Sequence, residues 1–205
     1  MPPLTSKGIA TRQRIVVSAA ALMRELGAAN ASLDDIRAAT ATSKSQLFHY
    51  FPNGKSELLL AVARHEADQV LAEQQPFLGD LTSWSQWEAW RDQVIANYAS
   101  QRDSCPLSAL TAQLGMAHPG TNEVITDLYD RWRGHLSAGV RALVERGEAR
   151  PETDPDATAI VLLGVISGGA TMLHATDSLE YLEVGLDQAM RSMRTLSPQT
   201  SAGEG

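Results

Sequence analysis

Apolar residues recur at helical spacing along nearly the whole chain. Between 11 and 26, Ile15, Ala19, Leu22, Met23 and Leu26 share one face, and Gly27 supplies a stop. Ser32 can cap a following helix, with Asp35 at the reciprocal capping-box position and Ile36, Ala38 and Ala39 continuing it. After a break over 40–42, Ser43 caps a further helix through Leu47 and Phe48 to Tyr50 or Phe51. Pro52-Asn53-Gly54 is a turn signal. A long helix follows over 55–75, with Leu58, Leu59, Val62, Val70 and Leu71 apolar, until Pro76 and Gly79 interrupt it. The next helix starts at Ser83 or Ser85 and carries Trp84, Trp87, Trp90, Val94 and Tyr98. A short helix over 107–116 and a loop over 118–120 precede a long amphipathic helix over 122–147. Pro151 and Pro155 bracket a linker, an apolar helix runs over 156–175, and Ser178 caps a last helix. The polar tail 197–205 is expected to be disordered. No stretch alternates as a strand does, so the expected fold is all-α with about nine helices.

The stretch 157–175 is long and uncharged enough to ask whether it crosses a membrane. Thr158, Ser167, Thr171 and His174 interrupt it, and its flanks are acidic, with Asp154, Asp156 and Asp177 and no basic cluster. A helix covered by a partner chain is the better reading, because the Gly164-x-x-x-Gly168 spacing lets backbones approach closely. Leu163, Gly164 and Gly168, with Leu182, Leu186, Met190 and Met193 of the last helix, are the expected homodimer interface. Two copies of this helix pair would make a four-helix bundle. The alternative is that both helices pack only within one chain.

Composition narrows the chemistry. Of 205 residues, 43% are hydrophobic, which suits a buried core. The lone Cys105 excludes an intrachain disulfide and a multi-cysteine zinc site. The histidines His49, His65, His118, His135 and His174 lack metal-ligand spacing, so no metal or cofactor is expected. The first residues lack the apolar run of a signal peptide, and a soluble, cytoplasmic protein is expected. No nucleophile elbow, phosphate loop, dinucleotide fingerprint or zinc-protease pair occurs, so no catalytic residue is assigned. The net charge of −7 hides an asymmetry. Residues 1–55 carry seven basic against three acidic side chains, a net +4, while the other 150 carry ten against 21, a net −11. A basic head on an acidic body suggests that the head alone meets a polyanion.

Residues 32–51 then read as a helix–turn–helix. A helix fits the DNA major groove with its N-terminal side chains at base edges. Here that turn offers Lys44, Ser45 and Gln46, while His49 and Tyr50 suit backbone or base contacts. Leu47 and Phe51, four apart, belong to the core. Short two-helix units without a DNA role also exist.

The run from Ser32-Leu-Asp-Asp-Ile-Arg to Ser43-Lys-Ser-Gln-Leu-Phe-His-Tyr-Phe-Pro-Asn-Gly-Lys-Ser-Glu-Leu-Leu resembles the TetR family of transcriptional regulators. Its most specific part is Leu47-Phe-His-Tyr-Phe51 with the lysine and Glu-Leu-Leu that follow. Two positions depart from the family pattern: Ala41 stands where glycine is usual in the turn, and Phe48 where tyrosine is commoner. Alanine there needs a right-handed backbone or accepts strain. The resemblance implies a DNA-binding domain over 1–54 and a ligand-binding and dimerisation domain over 55–196. It implies that Lys44, Ser45 and Gln46 read bases or nearby phosphates and that His49 and Tyr50 contact the backbone or base edges. It also implies that Lys55 clamps a phosphate, that Ser32 helps seat its helix on double-stranded DNA and that Ser43 belongs to the DNA-binding set. Ser32 and Ser43 as simple caps, and Lys55 as a solvated lysine, are the alternatives.

The same resemblance implies a small-molecule effector. Trp84, Trp87, Tyr98, Leu110, Leu114, Met116, Tyr129, Trp132, Met172 and His174 suit an apolar or aromatic ligand, though tryptophans at helical spacing are more often core. Residues 104–110 resemble the LmrA and YxaF subgroup, which responds to drugs and flavonoid-like aromatics. A repressor of a palindromic operator, released when effector binding respaces two heads through the helix from Lys55, is the expected function. A ligand-independent architectural DNA binder and a small helical enzyme are the alternatives.

Overall fold

A computed structural model of the chain describes residues 5–27, 30–100, 115 and 119–195. Among them are eight α-helices, one 3-10 turn and no strand. They are α1 (Ser6–Leu26), α2 (Leu33–Thr40), α3 (Lys44–Tyr50), α4 (Lys55–Ala72), α5 (Trp84–Ser100), α6 (Pro119–Glu145), α7 (Pro155–Thr176) and α8 (Glu180–Met193). The fold is all-α, as the periodicity predicts. The helix expected over 107–116 and the tail 197–205 lie outside the described residues.

Helix starts are where the sequence reading slips. Helix α1 begins at Ser6, not at 11, because the Thr5 hydroxyl accepts the Gly8 N–H at 3.2 Å and adds a polar first turn that carries no apolar signal. Pro119 and Pro155, assigned to a loop and a linker, each open a helix instead. Proline at the first helical position forfeits only an N–H that has no partner there anyway. The Asp154 carboxylate caps α7 by accepting from Asp156 and Ala157.

The chain divides into two compact units. The first contains residues 1–73 and 103–130, and the second 74–102 and 131–205. The first therefore takes in all of α4, so the division by packing and the functional boundary expected after residue 54 fall at different places. Its core gathers Ile15, Val16, Ala19, Ile36, Leu47, Phe51, Leu58 and Val62. Helix α4 is tied to α1 by Arg24, whose guanidinium lies 2.7 Å from the buried Glu66 carboxylate.

In the second unit Trp87 and Trp90 are fully buried and meet edge to face, ring centres 5.5 Å apart. Their indole N–H groups donate to the Leu81 carbonyl at 3.1 Å and to the Gln74 side chain at 2.8 Å. Helices α7 and α8 pack closely. A Cβ at Gly169 would stand 2.9 Å from the Leu182 backbone, and one at Gly185 would stand 2.7 Å from Val165. Helix α7 is the one described helix long and apolar enough to cross a membrane. Ala159, Leu162, Leu163, Ile166, Gly169 and Leu173 form its buried face.

Candidate functional site

The first unit presents the helix–turn–helix. Both of its helices begin with reciprocal caps. Ser32 accepts the Asp35 N–H at 3.1 Å, and the Asp35 carboxylate accepts from the Ser32 N–H at 3.0 Å and its hydroxyl at 2.5 Å. These bonds hold the Asp35 carboxyl below its ordinary pKa. Ser43 accepts the Gln46 N–H at 3.2 Å, while the Gln46 carbonyl oxygen accepts the Ser43 N–H at 3.0 Å. Each such cap is worth about 1 kcal/mol, a large share for helices of eight and seven residues.

Between the helices, Ala41 adopts φ 50° and ψ 43°, the left-handed conformation. Of the two options for alanine at this usual glycine position, the strained one is realised. Its N–H bonds the Ala38 carbonyl at 3.3 Å, and the Thr42 N–H bonds the Arg37 carbonyl at 3.0 Å. These bonds close the end of α2 as a left-handed cap does.

This turn sets the exposed surface of α3. Leu47 and Phe51 are buried, as their spacing predicts. Lys44, Ser45, Gln46 and His49 are exposed and Tyr50 is half-buried. The His49 and Tyr50 rings meet edge to face, centres 4.9 Å apart. Phe48 is exposed too, against Gly54. Lys55 opens α4, whose N-cap Gly54 offers no side-chain bond and whose first-turn Glu57 carboxylate accepts the Asn53 N–H at 2.9 Å. Two expected roles are qualified by these bonds. The Gln46 carbonyl oxygen is engaged in the cap, leaving its amide N–H groups for reading a base. The Ser32 side chain is occupied by Asp35, and Asp34 and Asp35 place negative charge at the α2 N-terminus, which favours the capping role over phosphate contact.

The expected interface residues separate into two sets. Leu163, Leu182, Leu186, Met190 and Met193 are buried within the single chain and have little surface to offer a partner. This corrects the expectation: α7 uses one apolar face for α8 and keeps a second. Gly164 and Gly168 lie on that second face, where an added Cβ would meet nothing within 4 Å. Ile160 and Val161 flank them, 56% and 55% exposed, and α8 adds Tyr181 and Val184, 50% and 52% exposed. These four were missed, although the spacing of 160, 164 and 168 places Ile160 in one row with the two glycines.

The described members of the expected ligand set differ in exposure. Trp87 and Trp132 are buried, and the Trp87 indole N–H is taken up by the Leu81 carbonyl. Trp84 is half-buried, donates to the Glu148 carbonyl at 2.9 Å and lies under the Arg194 guanidinium at 4.3 Å. Tyr98 and Met172 are half-buried, while Tyr129 and His174 are exposed. Leu110, Leu114 and Met116 lie outside the described residues, as do Cys105 and the 104–110 stretch. A groove of about 480 Å³ in the second unit is lined by none of them. Its walls are Glu88, Arg91, Asp92, Asp187, Met190, Arg191 and Arg194. Ion pairs cross it, including Arg91 with Asp187 at 2.8 Å and Arg194 with Glu88. Among the described residues no group of three or more His, Cys, Asp or Glu side chains could hold a metal.

Comparison with known proteins adds the following. Residues 15–62 match the family model described as bacterial regulatory proteins, tetR family. Residues 85–190, about half the chain, match the tetracyclin repressor-like C-terminal domain. An uncharacterized HTH-type transcriptional regulator of Mycobacterium tuberculosis is 30% identical over 105 residues, 51% of this chain and 53% of that protein. The chain thus matches about half the length of that curated relative. An uncharacterized HTH-type regulator of Lactococcus lactis is 24% identical over 187 residues, 86% of this chain and 90% of its own. The crystal structure of a TetR transcriptional regulator from Chloroflexus aurantiacus superposes with a TM-score of 0.72 at 26% identity, covering 94% of this chain and all of that one.

Proposed function

This chain belongs to the TetR family of transcriptional regulators, and on that premise we propose that it is a repressor: a homodimer that binds a palindromic operator and is released by a small, largely apolar or aromatic effector. The observation that carries the DNA-binding part is the doubly capped helix–turn–helix, whose second helix keeps Lys44, Ser45, Gln46 and His49 in water while Leu47 and Phe51 anchor it. Side chains at the start of such a helix reach base edges, and Lys55 at the start of α4 reaches a phosphate. The acidic remainder of the chain gives no competing polyanion surface of comparable charge.

The second exposed face of α7, with Tyr181 and Val184 of α8, supports the homodimer. Two copies meeting there would form a four-helix bundle around Gly164 and Gly168, with Ile160 and Val161 at its sides. Release follows from linkage. An effector that binds better to dimers whose heads are wrongly spaced for the operator draws the population off DNA. Helix α4, held to α1 through Arg24 and Glu66, moves with its head. A protein acting on DNA in this way works in the cytoplasm.

Selection of the purified protein on a random duplex library tests the proposal. A palindromic site is expected, its halves centred about one helical turn or more apart. That site then reports on candidate effectors, which lower the occupancy of the duplex. Enrichment of no sequence, with weak and uniform binding, would replace the repressor by an architectural DNA binder.

A further inference from the structure

The charge of the head is less available than the sequence implies. Of its seven cations, all four arginines are engaged inside the first unit. Arg24 pairs with Glu66 and Arg37 with Asp34, each at 2.7 Å. Arg14 of α1 donates from Nη1 to the Thr40 carbonyl at 2.6 Å. Arg12, two residues earlier on α1, places its guanidinium 4.9 Å from the centre of the Phe51 ring.

The last two contacts fall at telling positions. Thr40 ends α2, is 1% exposed, and precedes the strained Ala41. The last carbonyls of a helix have no partner within it and carry the negative end of its dipole. Arg14 meets both needs at one of them, helped by the Thr42 hydroxyl, which donates to the same oxygen at 3.2 Å. Phe51 is the C-cap of α3, fully buried, with its N–H on the Leu47 carbonyl at 2.9 Å. Arg12 therefore touches the end of α3 through the Phe51 ring, where Arg14 bonds a terminal carbonyl of α2.

We propose that Arg14 and Arg12 are positioning residues: they brace the C-terminal ends of α2 and α3 against α1 and so hold the angle at which α3 meets DNA, leaving Lys7, Lys44 and Lys55 as the cations that face phosphate. This rests on the DNA-binding reading above. A phosphate contact and a brace leave different signatures. Loss of a phosphate contact weakens all duplexes alike and lowers the salt slope. Loss of a brace spares the slope, weakens the specific duplex more than a random one, and loosens the turn.

The test uses the full-length protein, its selected operator and a random duplex of equal length. Arg14→Ala is expected to weaken operator binding about tenfold, the order of a charged hydrogen bond. The salt slope stays unchanged, the operator-to-random ratio falls, and the Ala41 and Thr42 amides exchange hydrogen faster. Arg14→Lys, which keeps a charged donor, recovers part of the ratio. Arg12→Ala gives the same pattern at about threefold, the order of an exposed cation–π contact. A slope reduced by about 0.9, equal weakening of both duplexes and unchanged amide exchange would overturn the proposal. If the unaltered protein shows no selective DNA binding, the regulator reading fails by itself. Amide exchange in Arg14→Ala then decides the brace: faster exchange upholds it, and unchanged exchange rejects it.

Discussion

Helices α3 and α7 both keep an exposed face in water, and they do so with opposite chemistry. Of the seven residues of α3 only Leu47 is buried, and its exposed residues are Lys44, Ser45, Gln46 and His49, with Phe48 beside Gly54. Helix α7 buries one apolar face on its own chain and leaves a second apolar face open, with Ile160, Val161, Gly164 and Gly168. The polar face loses little by waiting in water, and suits a wet, charged partner such as DNA. The apolar face stands in water at a cost, and contiguous exposed apolar surface marks a protein contact. The comparison supports the two partners proposed above on physical grounds: a polyanion for α3 and a second copy of the chain for α7.

The largest effect is expected from breaking the apolar side of that comparison. Gly168→Glu adds a charge where the single chain has open space, so each chain still folds. In a dimer that charge is buried without a partner, a penalty of about 3 kcal/mol or more. Sedimentation should show monomers, and operator affinity should fall with dimerisation. A dimer of unchanged stability would move the interface elsewhere.

The polar side is sharpened by two smaller changes near the recognition helix. Ala41→Gly relieves a left-handed alanine and should stabilise the protein by about 1 kcal/mol. Urea unfolding measures it, and a loss of stability would mean that the turn is not strained in solution. The smallest effect comes from the α2 cap. The bonds from Ser32 lower the folded pKa of Asp35, so its contribution is full above the ordinary aspartate value of about 3.9. It fades as pH falls through the lowered value. Asp35→Ala should therefore destabilise the protein at neutral pH and lose its effect in acid. A penalty that stays constant across that range would assign the loss to helix propensity instead.

Much of the head was legible in the sequence because its signals are local. The cap of α2 by Ser32 and Asp35, the cap of α3 by Ser43, the turn before α4 and the buried pair Leu47 and Phe51 all depend on residues a few positions apart. Helix starts with no apolar residue were not legible, which is why Thr5 and Pro155 were passed over as caps and starts. Nor was the use of Gln46 as a capping partner, since glutamine at that position looks like a base reader.

What the sequence determined by itself is the class and the head: an all-helical chain, a capped helix–turn–helix and a basic first quarter. Periodicity, caps and charge are properties of neighbours along the chain. The tertiary structure decided which face of a doubly apolar helix is spent inside the chain. It sent Leu182, Leu186, Met190 and Met193 inward and left Ile160, Val161, Tyr181 and Val184 outside. It decided likewise that Arg12 and Arg14 turn back on Phe51 and Thr40. Composition counts a charge or an apolar side chain but cannot say which distant group meets it. Only packing brings a carbonyl at 40 to a guanidinium at 14.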